Sequence, residues 1–265
     1  KPLATPVTRA LARELEVDLT RVRPTGAEGR VTDDDVRMHH EHFGHPLPKA
    51  TGKPGDRRVP FVGLRRKIAE RMQRAVNTAA HFTFVEECDA GPLLALRESL
   101  RGFAKERGIE LSLLPFVVKA VVSALEKHPV LNSALDEDAN EIVYRSEQHI
   151  GIATATERGL VVPVIRDAGS KSILGLAREI ERLSKAARED RIKPSELSGS
   201  TFTITSLGKQ GGLLATPVLN LPEVGILGVH QIKKKPVVKG DSIVIGDVML
   251  LSLTCDHRLV DGHVG

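Results

Sequence analysis

The stretch 39–58, HHEHFGHPLPKATGKPGDRR, most constrains how this chain can fold. Apolar periodicity stops there, and proline, glycine and charge replace it, the composition of a flexible tether. The chain is thereby divided into a short unit, 1–38, and a long one, 59–265, each of which must bury its own core. Four histidines, His39, His40, His42 and His45, open the stretch. No cysteine or ordered carboxylate frame accompanies them, so they read as part of a solvated tether and not as a metal site.

In the short unit, Thr5-Pro6 is a helix N-cap followed by proline at the first helical position. Val7, Leu11 and Leu15 then recur every four residues and predict one apolar helix face. Asp18-Leu19 and the run Gly26–Gly29 interrupt the pattern. Thr32 caps a second helix, whose first turn, Asp33-Asp34-Asp35, places acidic groups at the positive end of the helix dipole. Fewer than about forty residues supply only a small core, so this unit reads as an all-α binding module.

The long unit mixes both periods. Leu64, Ile68 and Met72 mark a helix face, with Arg65, Arg66, Lys67 and Arg71 alongside. Leu93, Leu96, Leu100 and Phe103 mark a second, stopped at Gly108. Ser112 to Lys127 is apolar enough to be a buried helix, and Ile173, Leu176, Ile180 and Leu183 mark another amphipathic face. Strand-like runs occupy Ile150–Thr154, Leu160–Ile165, Thr201–Leu207, Gly225–Val229 and Ile243–Cys255. Helices and strands follow one another without β-α-β alternation, which predicts an α+β layer sandwich over a doubly wound sheet. The core is aliphatic, since the chain has no Trp, one Tyr and seven Phe. That scarcity of aromatics, with no long Lys/Arg run, argues against nucleic acid despite a net charge of +4. The mild basicity suits an anionic ligand such as a nucleotide-bearing cofactor. Cys88 and Cys255 make no disulfide framework and fit a reducing compartment. No apolar run approaches the roughly 20 residues of a membrane span, and no signal peptide is visible. A chain that begins with Lys1 reads as a fragment or a processed form.

Chemistry concentrates near the last residue, in Cys255-Asp256-His257-Arg258-Leu259-Val260-Asp261-Gly262. The apolar run Val248–Leu253 leads into it, so His257 emerges at the mouth of a buried strand with Asp261 four positions on. A histidine so placed is a general-base candidate, because its unperturbed pKa of about 6.5 lets it take and return a proton near neutrality. Taken singly, these residues have plainer readings: a histidine after a strand is usually structural, Thr205 is a strand threonine, and Arg65 and Arg66 are a solvated helix face. His81, His128, His149 and His230 lack partners in the sequence pattern and read as structural.

Together the motifs resemble a family. Asp256-His257-Arg258-Leu259-Val260-Asp261-Gly262 resembles the active-site signature of dihydrolipoamide acyltransferases, the cores of 2-oxoacid dehydrogenase complexes. Arg65-Arg66-Lys67-Ile68-Ala69-Glu70-Arg71-Met72 resembles the opening helix of that catalytic domain. Gly151-Ile152-Ala153 and Gly159-Leu160-Val161-Val162-Pro163-Val164 resemble its middle strands. Thr201–Gly208 resembles the strand facing the catalytic histidine, and Asn220–Gly228 the segment after it. In the short unit, Thr5-Pro6-Val7-Thr8-Arg9, Val17-Asp18-Leu19 and Gly26-Ala27-Glu28-Gly29-Arg30-Val31 resemble the peripheral subunit-binding domain of the same proteins.

The resemblance implies a fold and a reaction. The fold is a two-layer α+β sandwich like chloramphenicol acetyltransferase, over 59–265 and C-terminally truncated, preceded by an all-α subunit-binding domain over 1–38. The reaction passes an acyl group between a dihydrolipoyl thioester and coenzyme A, the lipoyl group riding on a domain this chain lacks. His257 would deprotonate the coenzyme A thiol, whose pKa near 8.5 keeps it mostly protonated at neutral pH. The hydroxyl of Thr205, where many members have serine, would stabilise the tetrahedral oxyanion. Asp261 would pair with Arg65 and hold the histidine loop, and Arg97 would contact the phosphates of coenzyme A. Arg9, Arg13 and Arg30 match basic residues that grip the partner enzymes, a thiamine-dependent 2-oxoacid decarboxylase and dihydrolipoamide dehydrogenase. The family forms homotrimers, with His257 of one subunit meeting Thr205 of the next, and the trimers build a larger core in the bacterial cytoplasm or the mitochondrial matrix. No nucleic acid or membrane is implied. Two rivals are a non-catalytic scaffold, which does not need His257, and a stand-alone antibiotic acetyltransferase, which does not need the small module. Acetyl, succinyl and branched-chain acyl groups all stay open, with Ala215-Thr216-Pro217 and Gly228-Val229-His230 leaning toward branched-chain or acetyl.

Overall fold

The computed structural model describes residues 2–43, 52–53, 55–206, 208 and 212–265. The chain separates into two compact units, Lys1–Pro60 and Phe61–Gly265. No helix among the described residues is long and apolar enough to cross a membrane.

In the first unit α1 spans Pro6–Glu14, and the Thr5 hydroxyl accepts from the Thr8 amide at 3.1 Å, as a cap must. The face it buries is set one position on from the expected one. Thr8 and Ala12 are buried, Leu11 and Leu15 pack beside them, and Val7 is exposed. Helix α2, Asp33–Phe43, starts with a reciprocal cap: Thr32 Oγ1 accepts from the Asp35 amide at 3.2 Å, and the Asp35 carboxylate accepts from the Thr32 amide at 2.8 Å. Ala12, Val22, Val31 and Val36 form the small core. Helix α2 continues through 39–43, inside the stretch read as a tether, because no glycine or proline interrupts it before Gly44. Of the rest of that stretch, 44–51 and Pro54 lie outside the described residues, and His45 with them.

The second unit is an α+β sandwich. Its elements run α3 (Gly63–Thr78), β1 (His81–Asp89), α4 (Gly91–Lys105), α5 (Leu114–Lys127), β2 (Ser133–Asp136), β3 (Glu141–Tyr144), β4 (Ile150–Ile152), β5 (Thr154–Thr156), β6 (Gly159–Val161), β7 (Val164–Ile165), α6 (Ile173–Arg188), β8 (Phe202–Ser206), β9 (Gly225–Val229), β10 (Lys233–Lys239) and β11 (Ser242–Asp256). The main sheet has the order β1-β11-β9-β8-β4-β7, with β10 also on β11. β8 runs parallel to β4 and to β9, and the other pairs are antiparallel. This mixed sheet agrees with the α+β expectation.

Helices α5 and α6 cover one sheet face. Val118, Val122 and Leu125 of the first, and Leu176, Ile180 and Leu183 of the second, join Ile150, Ile165, Phe202 and Ile204 in one core. Helix α4 differs from its sequence pattern. Leu93 and Leu100 pack inward, but Leu96 and Phe103 stay exposed, and the Arg107 guanidinium lies 3.4 Å over the Phe103 ring. Strands β1 and β10 escape sequence reading because both carry charge: Glu86 and Glu87 in one, four lysines in the other. Each is fixed by pairing with the 15-residue β11.

Candidate active site

Strand β11 delivers His257. The Asp256 carboxylate, 2% exposed, accepts from the Ala80 amide at 3.1 Å and from the Arg258 amide and guanidinium. Burial alone would raise the Asp256 pKa, but these donors outweigh it and hold the carboxyl below its usual range. The His257 amide donates to the Ala80 carbonyl at 2.7 Å, which pins the loop to the chain entering β1. The histidine ring, half exposed, leans on Phe82 with centroids 4.5 Å apart. Its Nδ1 lies 3.9 Å from an Asp261 carboxylate oxygen. Val260, fully buried, anchors the turn between them. Cys255 is buried and its thiol is pushed up to about 12 by that burial and by Asp256, which keeps it inert.

Thr205 belongs to a different place. It is paired with Gly228 across β8–β9, and Gly228 with Ser252 across β9–β11. Paired residues share a sheet face, so Thr205, Gly228 and Ser252 form a row on the face opposite the α5–α6 core. Helix α3 borders this face, and a cavity of about 520 Å3 lies between them. Leu64, Ile68, Met72, Leu160, Val218 and Val229 give it a largely apolar lining, and Thr205 and His230 are among its polar groups. Thus α3, which buries only Ala75 fully, spends its apolar face on a cavity instead of a core. His257 is not in the lining. Asp256 is two strands over and four residues along from Thr205, roughly 15 Å at sheet spacings. Within one chain the two halves of the expected site do not meet.

The remaining expected residues fall as follows. Arg65 is exposed on α3, and Asp261 pairs with His257 and not with Arg65. Within one chain the two are apart: the Arg65 guanidinium lies beside the β5–β6 turn at Gly159, while Asp261 sits by the end of β11. Arg97 on α4 is half-buried and donates through Nε to the Leu111 carbonyl at 2.7 Å, closing the loop after that helix. In the first unit the Arg9 guanidinium donates to the Pro2 carbonyl at 2.6 Å and Arg13 Nε to the Arg9 carbonyl at 3.2 Å, while the Arg30 side chain is exposed.

Two groups in this region have contacts that the sequence pattern does not show. His230 Nε2 is 2.9 Å from Ser252 Oγ, and Ser252 Oγ donates to the Ala215 carbonyl at 2.7 Å. Burial lowers the pKa of His230 and so favours its neutral form. Glu223, 2% exposed, accepts from Asn220 Nδ2 at 2.7 Å and from Ser200 Oγ. Burial pushes its carboxyl up to about 7, against the pull of those donors. Both residues are reached by loops that only the fold brings to the sheet. His149 and His81, by contrast, have both ring nitrogens engaged within the chain, as structural histidines do.

Known proteins share this arrangement. Residues 53–265 match the family described as 2-oxoacid dehydrogenases acyltransferase (catalytic domain), and residues 2–37 match the e3 binding domain. The lipoamide acyltransferase component of the branched-chain alpha-keto acid dehydrogenase complex of Pseudomonas aeruginosa is 43% identical over 99% of this chain and 63% of its own length. The dihydrolipoyllysine-residue acetyltransferase component of the Bacillus subtilis pyruvate dehydrogenase complex is 38% identical over 98% of this chain and 63% of its own. The chain therefore spans less than two thirds of these relatives. Among solved structures, the Azotobacter vinelandii dihydrolipoamide acetyltransferase superposes with a TM-score of 0.78 at 35% identity, covering 83% of this chain and 90% of that one. Another, at the same TM-score and identity, is the cubic core of a pyruvate dehydrogenase multienzyme complex. The chain belongs to the acyltransferases of the 2-oxoacid dehydrogenase complexes, with an E3-binding domain ahead of the catalytic one.

Proposed function

We propose that this protein transfers an acyl group between S-acyl dihydrolipoamide and coenzyme A, at a site completed by two subunits. The carrying observation is the separation of Thr205 from His257 within one chain, in a family whose solved relatives include a cubic core. The serine, histidine and asparagine studied as catalytic in the A. vinelandii enzyme follow one another at the spacings that separate Thr205, His257 and Asp261. In this reading His257 takes the coenzyme A thiol proton, and the thiolate adds to the thioester carbonyl. The Thr205 hydroxyl donates to the oxyanion of the tetrahedral intermediate. Collapse breaks the bond to the dihydrolipoyl sulfur, which leaves with the proton held by His257. Asp261, with a carboxylate oxygen 3.9 Å from Nδ1 of the ring, orients the imidazole.

The aliphatic side chains beside Thr205 suit an acetyl or branched-chain acyl group, while Lys67 and Arg71 of the same lining are the cations a succinyl carboxylate would pair with. Arg97 keeps two guanidinium nitrogens for a coenzyme A phosphate after its Nε is committed to Leu111. The first unit offers Arg9, Arg13 and Arg30 to acidic surfaces of dihydrolipoamide dehydrogenase and the decarboxylase.

The test is acyl transfer from acetyl-, isobutyryl- and succinyl-coenzyme A to dihydrolipoamide by the full-length protein. His257→Ala should lower kcat by at least about a hundredfold, the low end of what a general base contributes. Undiminished turnover in that variant overturns the mechanism.

A further inference from the structure

His230 is held in one tautomer. Ser252 Oγ has a single hydrogen and donates it to the Ala215 carbonyl at 2.7 Å. The 2.9 Å contact with His230 Nε2 therefore requires the ring to donate, so Nε2 carries the hydrogen and Nδ1 carries a lone pair. Among the described residues Nδ1 has no hydrogen-bond partner, and it is not among the buried unsatisfied atoms. His230 lines the same cavity as Thr205. Gly228, between them on the sheet, has no side chain to intervene, and a Cβ there would press on both Ser252 Oγ and the His230 ring. From Thr205 to Gly228 is one strand across, and from Gly228 to His230 two residues along, about 8 Å in all. The cavity, whose polar lining also includes Lys67, Arg71, Thr203 and Asn220, thus presents a fixed imidazole acceptor at a set distance from the Thr205 hydroxyl.

We infer that His230 Nδ1 accepts a hydrogen bond from the second, non-acylated thiol of the dihydrolipoyl group and positions the reacting sulfur at Thr205. This rests on the acyl-transfer reading above. Three carbons separate the two sulfurs of the dithiol, so with the thioester at Thr205 the free thiol reaches the neighbourhood of His230. A thiol is a weak donor and needs a good acceptor, which a neutral imidazole supplies. His230 is a positioning residue in this scheme and takes no proton.

The experiment compares dihydrolipoamide with the monothiol 8-mercaptooctanamide as acyl acceptor in the full-length protein. Wild type should show a KM for the dithiol at least about threefold below that for the monothiol, within the range of a single hydrogen bond. His230→Gln keeps a donor toward Ser252 but loses the Nδ1 acceptor, and should raise the dithiol KM to the monothiol value with kcat little changed. His230→Asn places an amide oxygen near the Nδ1 position and should restore the preference. A wild type that treats the two acceptors alike, or a glutamine variant that weakens both equally or neither, overturns the role of His230 while His257-dependent transfer stands. Absence of acyl transfer in wild type would instead overturn the underlying reading.

Discussion

At the scale of the residue, this site is shaped as much by what is missing as by what is present. Gly228 has no side chain, and only that lets Ser252 reach both His230 and the Ala215 carbonyl. Gly228→Ala should cost about 1–3 kcal/mol, the range of overpacking in a closed interior, read as a fall of several degrees in Tm. It should also raise the KM for dihydrolipoamide, because the ring beside it must move. An unchanged Tm would show that Ser252 gives way freely. Asp256 makes the complementary point. Under the proposed function its sequence neighbour His257 is the reactive group, yet Asp256 makes most of the bonds that fix the loop.

At the scale of the element, the first unit depends on one buried carboxylate. Asp35 accepts from the Thr25 amide at 3.0 Å, the Thr25 hydroxyl at 2.6 Å and the Thr32 amide at 2.8 Å. Burial alone would raise its pKa, but the bonds from Thr25 and Thr32 prevail and bring it to about 2. A depressed carboxyl contributes stability that is complete above its unfolded value, about 3.9, and is lost as pH falls through the folded one. The native amide resonances of Thr25 and Thr32 should therefore disappear between about pH 4 and pH 2, and Asp35→Asn should remove that transition. Retention of both resonances at pH 2 in wild type would refute it. Long strand β11 shows the same dependence on neighbours, since its first half is held by β10 and its second by β1 and β9.

At the scale of the whole molecule, the proposed two-subunit site would make activity a property of the assembly. Neither Thr205→Ala nor His257→Ala should be fully active alone. Co-assembled from an equal mixture, they should recover about one quarter of wild-type sites, since in a closed ring each site draws one residue from each of two neighbours at random. Co-expression followed by assay of the purified hybrid checks this. No recovery above the sum of the single variants would place both groups in one subunit.

The sequence by itself determined the division into two units, the caps of the first two helices, the α+β class and the family. Caps and periodicity are local, so Thr5, Thr32 and the 3.6-residue pattern of α6 can be read without knowing their neighbours. The motif around His257 is equally local, and it was legible as a strand end followed by a turn. What only the tertiary structure decided lies across the sheet. The row Thr205–Gly228–Ser252 joins three strands, and the bond that fixes His230 runs between residues in two of the segments around it. Strands β1 and β10, which carry charge at Glu86, Glu87 and Asp89 and at four lysines, are held as strands by the backbone partners that β11 supplies. The separation of Asp261 and Arg65 within the chain has the same origin: side chains meet according to strand register and helix placement, and no spacing along the chain encodes where those elements come to lie.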